Sequence, residues 1–241
     1  MAKQSFQIAI DGPVAAGKGT ISRLVAQRLN LLYVDTGAMY RVAALLAKQH
    51  QIDWEDSDKV AELVDRAEIK MRNPNSQEKD GRLTTVLVDG KDESWQIRTE
   101  EMGKGASIVS QFAKVRQVLV KKQQQIAQEQ DVVMEGRDIT YRVLPQADLK
   151  IFLTGSDVVR AKRRHLQLQI RGQDLEFEDV YQDLLQRDQR DMKRANDPLK
   201  ITADSWVIDS SDLSINQVVE LIVVRAKIIR KNQHAKKSQK N

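Results

Sequence analysis

The chain has 241 residues, enough for one domain with insertions around a substantial core. It contains no cysteine, which excludes a disulfide framework, a thiolate nucleophile and a cysteine metal site. Its net charge of +5 resides at the end of the chain, where Arg225, Lys227, Arg230, Lys231, Lys236, Lys237 and Lys240 face no acid; without these seven the remainder stands at −2.

A basic terminus either touches nucleic acid or an anionic surface, or is a solvated, frayed end. No aromatic is interleaved to stack on bases, so the frayed end is expected and nucleic acid is not an expected partner. No signal-peptide stretch precedes the first strand, and no apolar run is long enough to span a bilayer. A cytoplasmic location without membrane contact is expected.

In chain order, the apolar run 6–10 predicts a strand, followed by Gly12-Pro13-Val14-Ala15-Ala16-Gly17-Lys18-Gly19-Thr20 and a helix over 20–29. Strand, glycine-rich turn, lysine and helix are the setting of a phosphate cradle. Glycines let backbone N–H groups close on an anion, and the helix start adds open donors. Lys18 then reaches the outer phosphates as a point charge. A Ser or Thr usually follows the lysine directly; here Gly19 intervenes before Thr20, which points to small-molecule kinases.

A second strand, 31–34, runs into Asp35-Thr36-Gly37 and a helix to about 49. Ser57 reads as the cap of a further helix. Residues 68–97 change character. Alternating apolar residues and the turns Asn73-Pro74-Asn75, Asp80-Gly81 and Asp89-Gly90 predict a small antiparallel β insertion. Helical patterning covers 100–130, with the polar run 121–125 expected on an exposed face. Short strands follow at 132–134, 149–153 and 206–209, with helices at 156–171, 176–194 and from 214. The three tryptophans read as packing residues. Short apolar strands separated by helices predict a parallel sheet covered on both faces, with ligands at the carboxyl ends of its strands. The loop 12–20, Asp35-Thr36-Gly37 and Gly136-Arg137-Asp138 are therefore expected to meet at one edge.

Arginines are the second signal. Arg187, Arg190 and Arg194 share one helical face, and Arg160 and Arg164 form an i, i+4 pair near Arg163 and Arg171. Such a stripe suits the gathering of phosphate oxygens, or it is neutralised by Asp183, Asp188 and Asp191 as surface pairs. Tyr40 and Arg41, on the first turn after the second strand, suit a base and a phosphate, or an ordinary exposed pair. Asp138 suits a polar contact to sugar, base or hydrated magnesium, or a helix cap. No Asp-x-x-Gly and no Asn-Lys-x-Asp is present, which argues against a GTPase switch.

The run Ile10-Asp11-Gly12-Pro13 and Ala16-Gly17-Lys18-Gly19-Thr20 resembles the phosphate loop of bacterial cytidylate kinases, within the P-loop nucleoside monophosphate kinases. Tyr33 to Arg41, Ile97-Arg98-Thr99, Ala106-Ser107, Val115-Arg116, Gly136-Arg137-Asp138, Lys150 to Leu153, Arg163-Arg164, Gln167 to Gln169 and Arg187 through Arg194 continue the likeness in order, to about residue 225.

That resemblance implies an α/β fold with a five-stranded parallel sheet flanked by helices, a small antiparallel β insertion and a helical lid. It implies transfer of the γ-phosphoryl of ATP to CMP or dCMP by a monomer, with Mg²⁺ held through phosphates and water, and Thr20 as the candidate protein oxygen. Gly12, Pro13, Val14, Ala15, Ala16, Gly17, Lys18, Gly19 and Thr20, with Arg160 and Arg164, would hold ATP. Thr36, Tyr40, Arg41, Ser107, Arg116, Arg137, Asp138, Arg187 and Arg194 would surround CMP. Lys18, Arg137, Arg187 and Arg194 would carry the transfer. The implied division is core 1–36, 106–157 and 186–225; monophosphate region 37–105; lid 158–185; and flexible basic tail 226–241. After Asp138 the family continues with Gly-Thr, a small residue and a flexible turn. Ile139-Thr140-Tyr141-Arg142 stand here instead, which is expected to place bulk beside the sugar and phosphate pocket. The rival readings are another small-molecule P-loop kinase, acting on UMP, shikimate or a coenzyme precursor, and a nucleic-acid-linked ATPase.

Overall fold

The computed structural model describes residues 5–170 and 172–238; expectations that name residues 1–4, Arg171 or 239–241 lie outside them. The unbroken apolar run near the N-terminus forms β1 (Gln7–Asp11), whose residues Ile8 to Asp11 are all buried. A strand with no polar face must be covered on both sides, and β1 lies at the centre of a five-stranded sheet. With β2 (Leu32–Asp35), β6 (Val132–Gly136), β7 (Leu149–Thr154) and β8 (Trp206–Asp209), the order is β2-β6-β1-β7-β8, and every pairing is parallel.

The two faces form separate apolar clusters. Helices α1 (Lys18–Leu29) and α8 (Ile215–Ser238) cover one face through Ile21, Val25, Val218 and Ile222. Helices α2 (Thr36–Gln49), α3 (Ser57–Arg66), α4 (Glu100–Val109) and α5 (Ala113–Glu129) build the other. The antiparallel insertion comprises β3 (Ile69–Arg72), β4 (Thr85–Val88) and β5 (Lys91–Asp92). Asn73 ties it to the edge of the main sheet. Its amide donates to the Leu31 carbonyl at 2.8 Å and accepts the Tyr33 N–H at 3.0 Å. Helices α6 (Asp157–Ile170) and α7 (Phe177–Lys193) pack on each other in the segment expected as a lid. Among the described residues, no helix is long and apolar enough to cross a membrane.

Several local expectations are corrected. The helix expected over 100–130 is two helices, because Phe112 turns extended and the Ser110 carbonyl is taken by Arg116 at 3.2 Å. Asp56, not Ser57, caps α3 by accepting the Lys59 N–H at 3.2 Å. Gln123, expected on an exposed face, is buried, and α5 packs against α3 and the turn at 139–143. Trp95 is exposed and hydrogen-bonded to Asp80 at 2.9 Å, so it is no packing residue. The chain after Arg225 does not fray at once. It stays helical to Ser238, where Arg230 pairs with Asp131 and lies 4.8 Å from the Phe6 ring centroid.

Gly12 ends β1 where backbones approach closely: a Cβ there would lie 2.0 Å from the Leu153 carbonyl oxygen. Gly12→Ala should therefore force the backbone apart and cost about 3 kcal/mol, the upper range for overpacking. Urea unfolding of the variant beside the wild type measures this; equal midpoints would contradict it.

Candidate functional site

Register delivers the site. In the parallel ladders Asp35 lies beside Glu135, and Asp11 beside Gly136, so β2, β6 and β1 end level. The three expected loops do converge at this edge. Gly17 caps α1 with φ +88, a conformation glycine adopts without steric cost, and no side chain caps the helix start. The first N–H groups of α1 thus face the groove unoccupied by protein side chains. Lys18 folds back, donating to the Gly12 and Pro13 carbonyls at 2.8 Å each. Burial first, then repulsion from Arg137, pulls its ammonium down from 10.5 to about 7.

The sequence position that departs from common P-loops now has a physical reason. A Cβ on Gly19 would lie 3.1 Å from Glu135 Oε1 and 3.4 Å from the Tyr33 hydroxyl, which themselves bond at 2.6 Å. Glu135 is buried, and desolvation raises its carboxyl above the usual range despite nearby Lys18.

From the far side, two residues grip the phosphate loop. The Asp188 carboxylate accepts the Val14 N–H at 3.0 Å, and Arg160 donates to the Val14 carbonyl at 2.8 Å. Arg160 and Asp188 also pair with each other, both buried. The reading of Asp188 as a surface neutraliser is therefore corrected. Arg160 does not line the groove, whereas Arg164, on the same helix, does.

Two contiguous cavities follow. One, of about 660 Å³, is lined by Ala15, Ala16, Gly17, Lys18, Gly19, Thr20, Arg164, Gln167 and Arg190; Gly12, Pro13 and Val14, expected in the same loop site, are not in its lining. The other, of about 260 Å³, is lined by Thr36, Tyr40, Arg41, Ser107, Arg116, Arg137, Asp138, Arg187 and Arg194, all nine residues expected on the acceptor side. Arg41, Ser107, Glu135, Arg137 and Arg187 border both. Arg187, Arg190 and Arg194 are not one stripe, because α7 ends at Lys193 and Arg194 leaves its axis. Arg190 faces the larger cavity and Arg194 the smaller. A third, more apolar recess of about 250 Å³ adjoins Ala15 to Gly17, walled by Ile21, Leu166, Leu213, Ile215 and Val218.

Within the smaller cavity the cations are fixed in place. Arg116 forms a buried pair with Asp138, and its guanidinium lies 5.5 Å from the Tyr40 ring centroid. Arg194 is 3.5 Å from Asp138. Arg137 donates to Asp191 at 2.7 Å; burial opposes the charge of Asp191, yet Arg137 holds its carboxyl below the usual range. Burial and then Arg137 lower the Arg187 guanidinium. Arg41 reaches the Ile97 and Thr99 carbonyls at 3.2 and 3.1 Å, and the Thr36 hydroxyl donates to the Glu135 carbonyl at 2.7 Å.

The expectation of bulk at residues 139–142 is also corrected. The segment winds into a π-helical turn, Ile139–Val143, and none of its side chains lines either cavity. The Asp11 carboxylate accepts the Ile139 and Thr140 N–H groups at 2.9 and 2.8 Å and the Thr140 hydroxyl at 2.7 Å. Ile139 is drawn into the core, and the Tyr141 hydroxyl turns to the Pro198 carbonyl at 2.6 Å. Sequence reasoning gave Asp11 and Glu135 no role of their own and weighed Asp188 and Asp191 only as surface neutralisers of the arginines. Asp11 and Glu135 end buried strands, and that position was their signal.

Comparison with known proteins agrees with this geometry. The family model described as cytidylate kinase matches residues 8–228. A cytidylate kinase of Caldicellulosiruptor bescii is 42% identical over 220 residues, 91% of this chain and 95% of that protein. One from Desulforamulus reducens is 44% identical over 216 residues, 90% of this chain and 94% of that protein. A crystal structure of an uncharacterised protein from Eubacterium ventriosum ATCC 27560 has a TM-score of 0.54 at 9% identity, covering 92% of this chain and 99% of that one, a likeness of fold alone.

Asp11 offers a test of this packing. Burial pushes its carboxyl up from 3.8 to about 6. Between those values the folded chain holds a proton that the unfolded chain releases, so this residue's contribution to stability falls as pH rises through the window. Asp11→Asn should shift stability by a constant offset and abolish that slope. Unfolding free energies of both proteins from pH 3.8 to 6 measure it, and parallel curves would refute it.

Proposed function

The chain belongs to the cytidylate kinase family, and from that premise we propose that it transfers the γ-phosphoryl of ATP to CMP or dCMP, giving ADP and CDP or dCDP. The observation that carries this reading is the pair of contiguous cavities that share Arg137 and Arg187. One is bounded by a phosphate cradle and the other by an arginine cluster with polar and aromatic groups, which suits two anionic nucleotides meeting end to end.

On this reading the donor phosphates lie on the backbone N–H groups of 15–20. Lys18 leaves the Gly12 and Pro13 carbonyls for the β- and γ-oxygens, whose charge restores its full protonation. The donor base occupies the apolar recess beside Leu166, Leu213 and Ile215, where burial of a flat ring is favoured. Arg164 acts from the lid, 158–185, and Arg160 holds the loop itself through Val14. The acceptor phosphate binds among Arg41, Arg137, Arg187 and Arg194. Thr36, Tyr40, Ser107, Arg116 and Asp138 hold the nucleoside. The donor and acceptor are then aligned for in-line transfer, with guanidinium groups set where negative charge gathers. No side chain needs to act as general base. Closure of the lid segment over the core excludes water, which otherwise competes as acceptor.

The oxygen donors at the groove fit magnesium: the Thr20 hydroxyl, and the buried Glu135 carboxylate behind Gly19, beside the phosphate positions. These residues would hold the ion directly or through water. When bound, the ion would neutralise negative charge on the donor phosphates. The enzyme on this reading works as a cytoplasmic monomer.

The test is coupled measurement of ADP release across the common nucleoside monophosphates. CMP and dCMP should be the fastest acceptors, and faster turnover of UMP or AMP would sink the assignment. ATP hydrolysis stimulated by RNA and not by CMP would favour a nucleic-acid-linked ATPase. Lys18→Ala should lower kcat by about 10²-fold or more, the scale for losing one fixed transition-state donor, with little change in CMP binding. Arg187→Ala should depress kcat/KM for CMP while the thermal midpoint holds; collapse of that midpoint would assign Arg187 a structural role.

A further inference from the structure

Arg116 comes from α5 and Arg194 from the end of α7, yet one residue outside the cavity lining holds both from behind. The Asp197 carboxylate accepts from Arg116 Nε at 2.8 Å. The backbone carbonyl of Asp197 accepts from Arg194 Nε at 2.7 Å and also from its Nη2. Asp197 has φ +47, a left-handed conformation that Asp and Asn tolerate better than most side chains. Its carboxylate also lies 3.5 Å from Arg142.

The loop that carries Asp197 has no regular secondary structure, so its position depends on what fastens it. Three hydrogen bonds do. The Leu199 N–H donates to the Asp191 carbonyl at 2.8 Å, the Asn196 amide to the Gln111 carbonyl at 2.9 Å, and the Tyr141 hydroxyl to the Pro198 carbonyl at 2.6 Å. The Lys200 ammonium sits 4.1 Å from the Tyr141 ring centroid, closing the same contact from above. Tyr141 thus couples the π-helical turn after Asp138 to the loop after Arg194.

We propose that Asp197 and Tyr141 are positioning residues for the acceptor nucleotide, through Arg116 on its nucleoside and Arg194 on its phosphate. Tyr141 fixes the loop. Asp197 then aims Arg116 with its side chain and Arg194 with its backbone. Two long cationic side chains converging on one cavity repel each other, and each loses much rotamer freedom when held. A shared anchor removes both costs before the substrate arrives, which is preorganisation of a charge-assisted site. The inference deepens the reading of the cavity as the acceptor site and rests on it.

Steady-state kinetics of the full chain, with CMP and ATP varied in turn, test the proposal. Asp197→Gly keeps the left-handed turn and deletes the carboxylate. It should raise KM for CMP about tenfold, the scale of one charge-assisted hydrogen bond, and leave KM for ATP and the thermal midpoint near wild type. Asp197→Asn retains an oxygen acceptor without the charge and should fall between Asp197→Gly and wild type. Tyr141→Phe keeps the ring beneath Lys200 and loses only the hydroxyl; it should raise KM for CMP by a smaller factor. An unchanged KM for CMP in Asp197→Gly and Tyr141→Phe overturns the proposal. A matched rise in both KM values, or activity lost together with the thermal midpoint, also overturns it, because the loop is then merely structural. Failure of the wild type to phosphorylate CMP instead overturns the reading on which the proposal stands.

Discussion

The molecule depends on burying an ammonium group at the head of α1. Lys18 is taken out of water without a carboxylate bonded to it; two backbone carbonyls of its own loop hold it. Burial of that kind is unfavourable for a cation, and it persists because the loop is held rigidly from several directions. Gly12 is pressed against the Leu153 backbone, Val14 is gripped at both its N–H and its carbonyl, and Glu135 is packed behind Gly19. The strain-free reward comes only when phosphate oxygens enter the groove, which is the electrostatic logic of a preformed anion site.

The arginine cluster obeys the same logic with opposite bookkeeping. Arg116 and Arg137 are each matched to a carboxylate, Asp138 and Asp191, and behind the phosphate loop Arg160 is matched to Asp188. Without these partners, several guanidinium groups in so small a volume would repel one another and pull the helices apart. With them, the cations are stationary and partly neutralised, so an arriving phosphate meets fixed donors. The carboxylates of Asp188 and Asp191 sit on α7, and that of Asp138 on the turn after β6. The smaller cavity is consequently built by elements far apart in sequence and cannot assemble locally.

Much of the architecture was legible from local patterns. Buried strands without alternation, helices between them and the turn-rich break at 68–97 identify the parallel sheet and its antiparallel insertion, because side-chain periodicity and burial are linked directly. Other features were not legible. The break between α4 and α5 lacks proline and glycine at 110–112; Phe112 is extended there and Arg116 takes the Ser110 carbonyl. Ile139 and Tyr141 read as obstructive bulk, but one buried carboxylate, Asp11, turns their segment away from the cavity.

The residue types of the two cavities were legible along the chain alone: a glycine-rich loop with Lys18, and tyrosine and arginines after later strands. Spacing along one chain is enough for this, since the loop, its strand and its helix are contiguous and strand ends face one edge in a parallel sheet. What each charged group holds there is set by long-range packing. Arg160 and Arg164 are four residues apart on one helix, yet the first is locked onto Val14 and the second faces the groove. Asp188 and Asp191 are three apart, yet one holds the phosphate loop and the other holds Arg137. Those roles depend on distances across α6, α7 and the sheet edge, and long-range contacts of that kind leave no periodic trace in the chain.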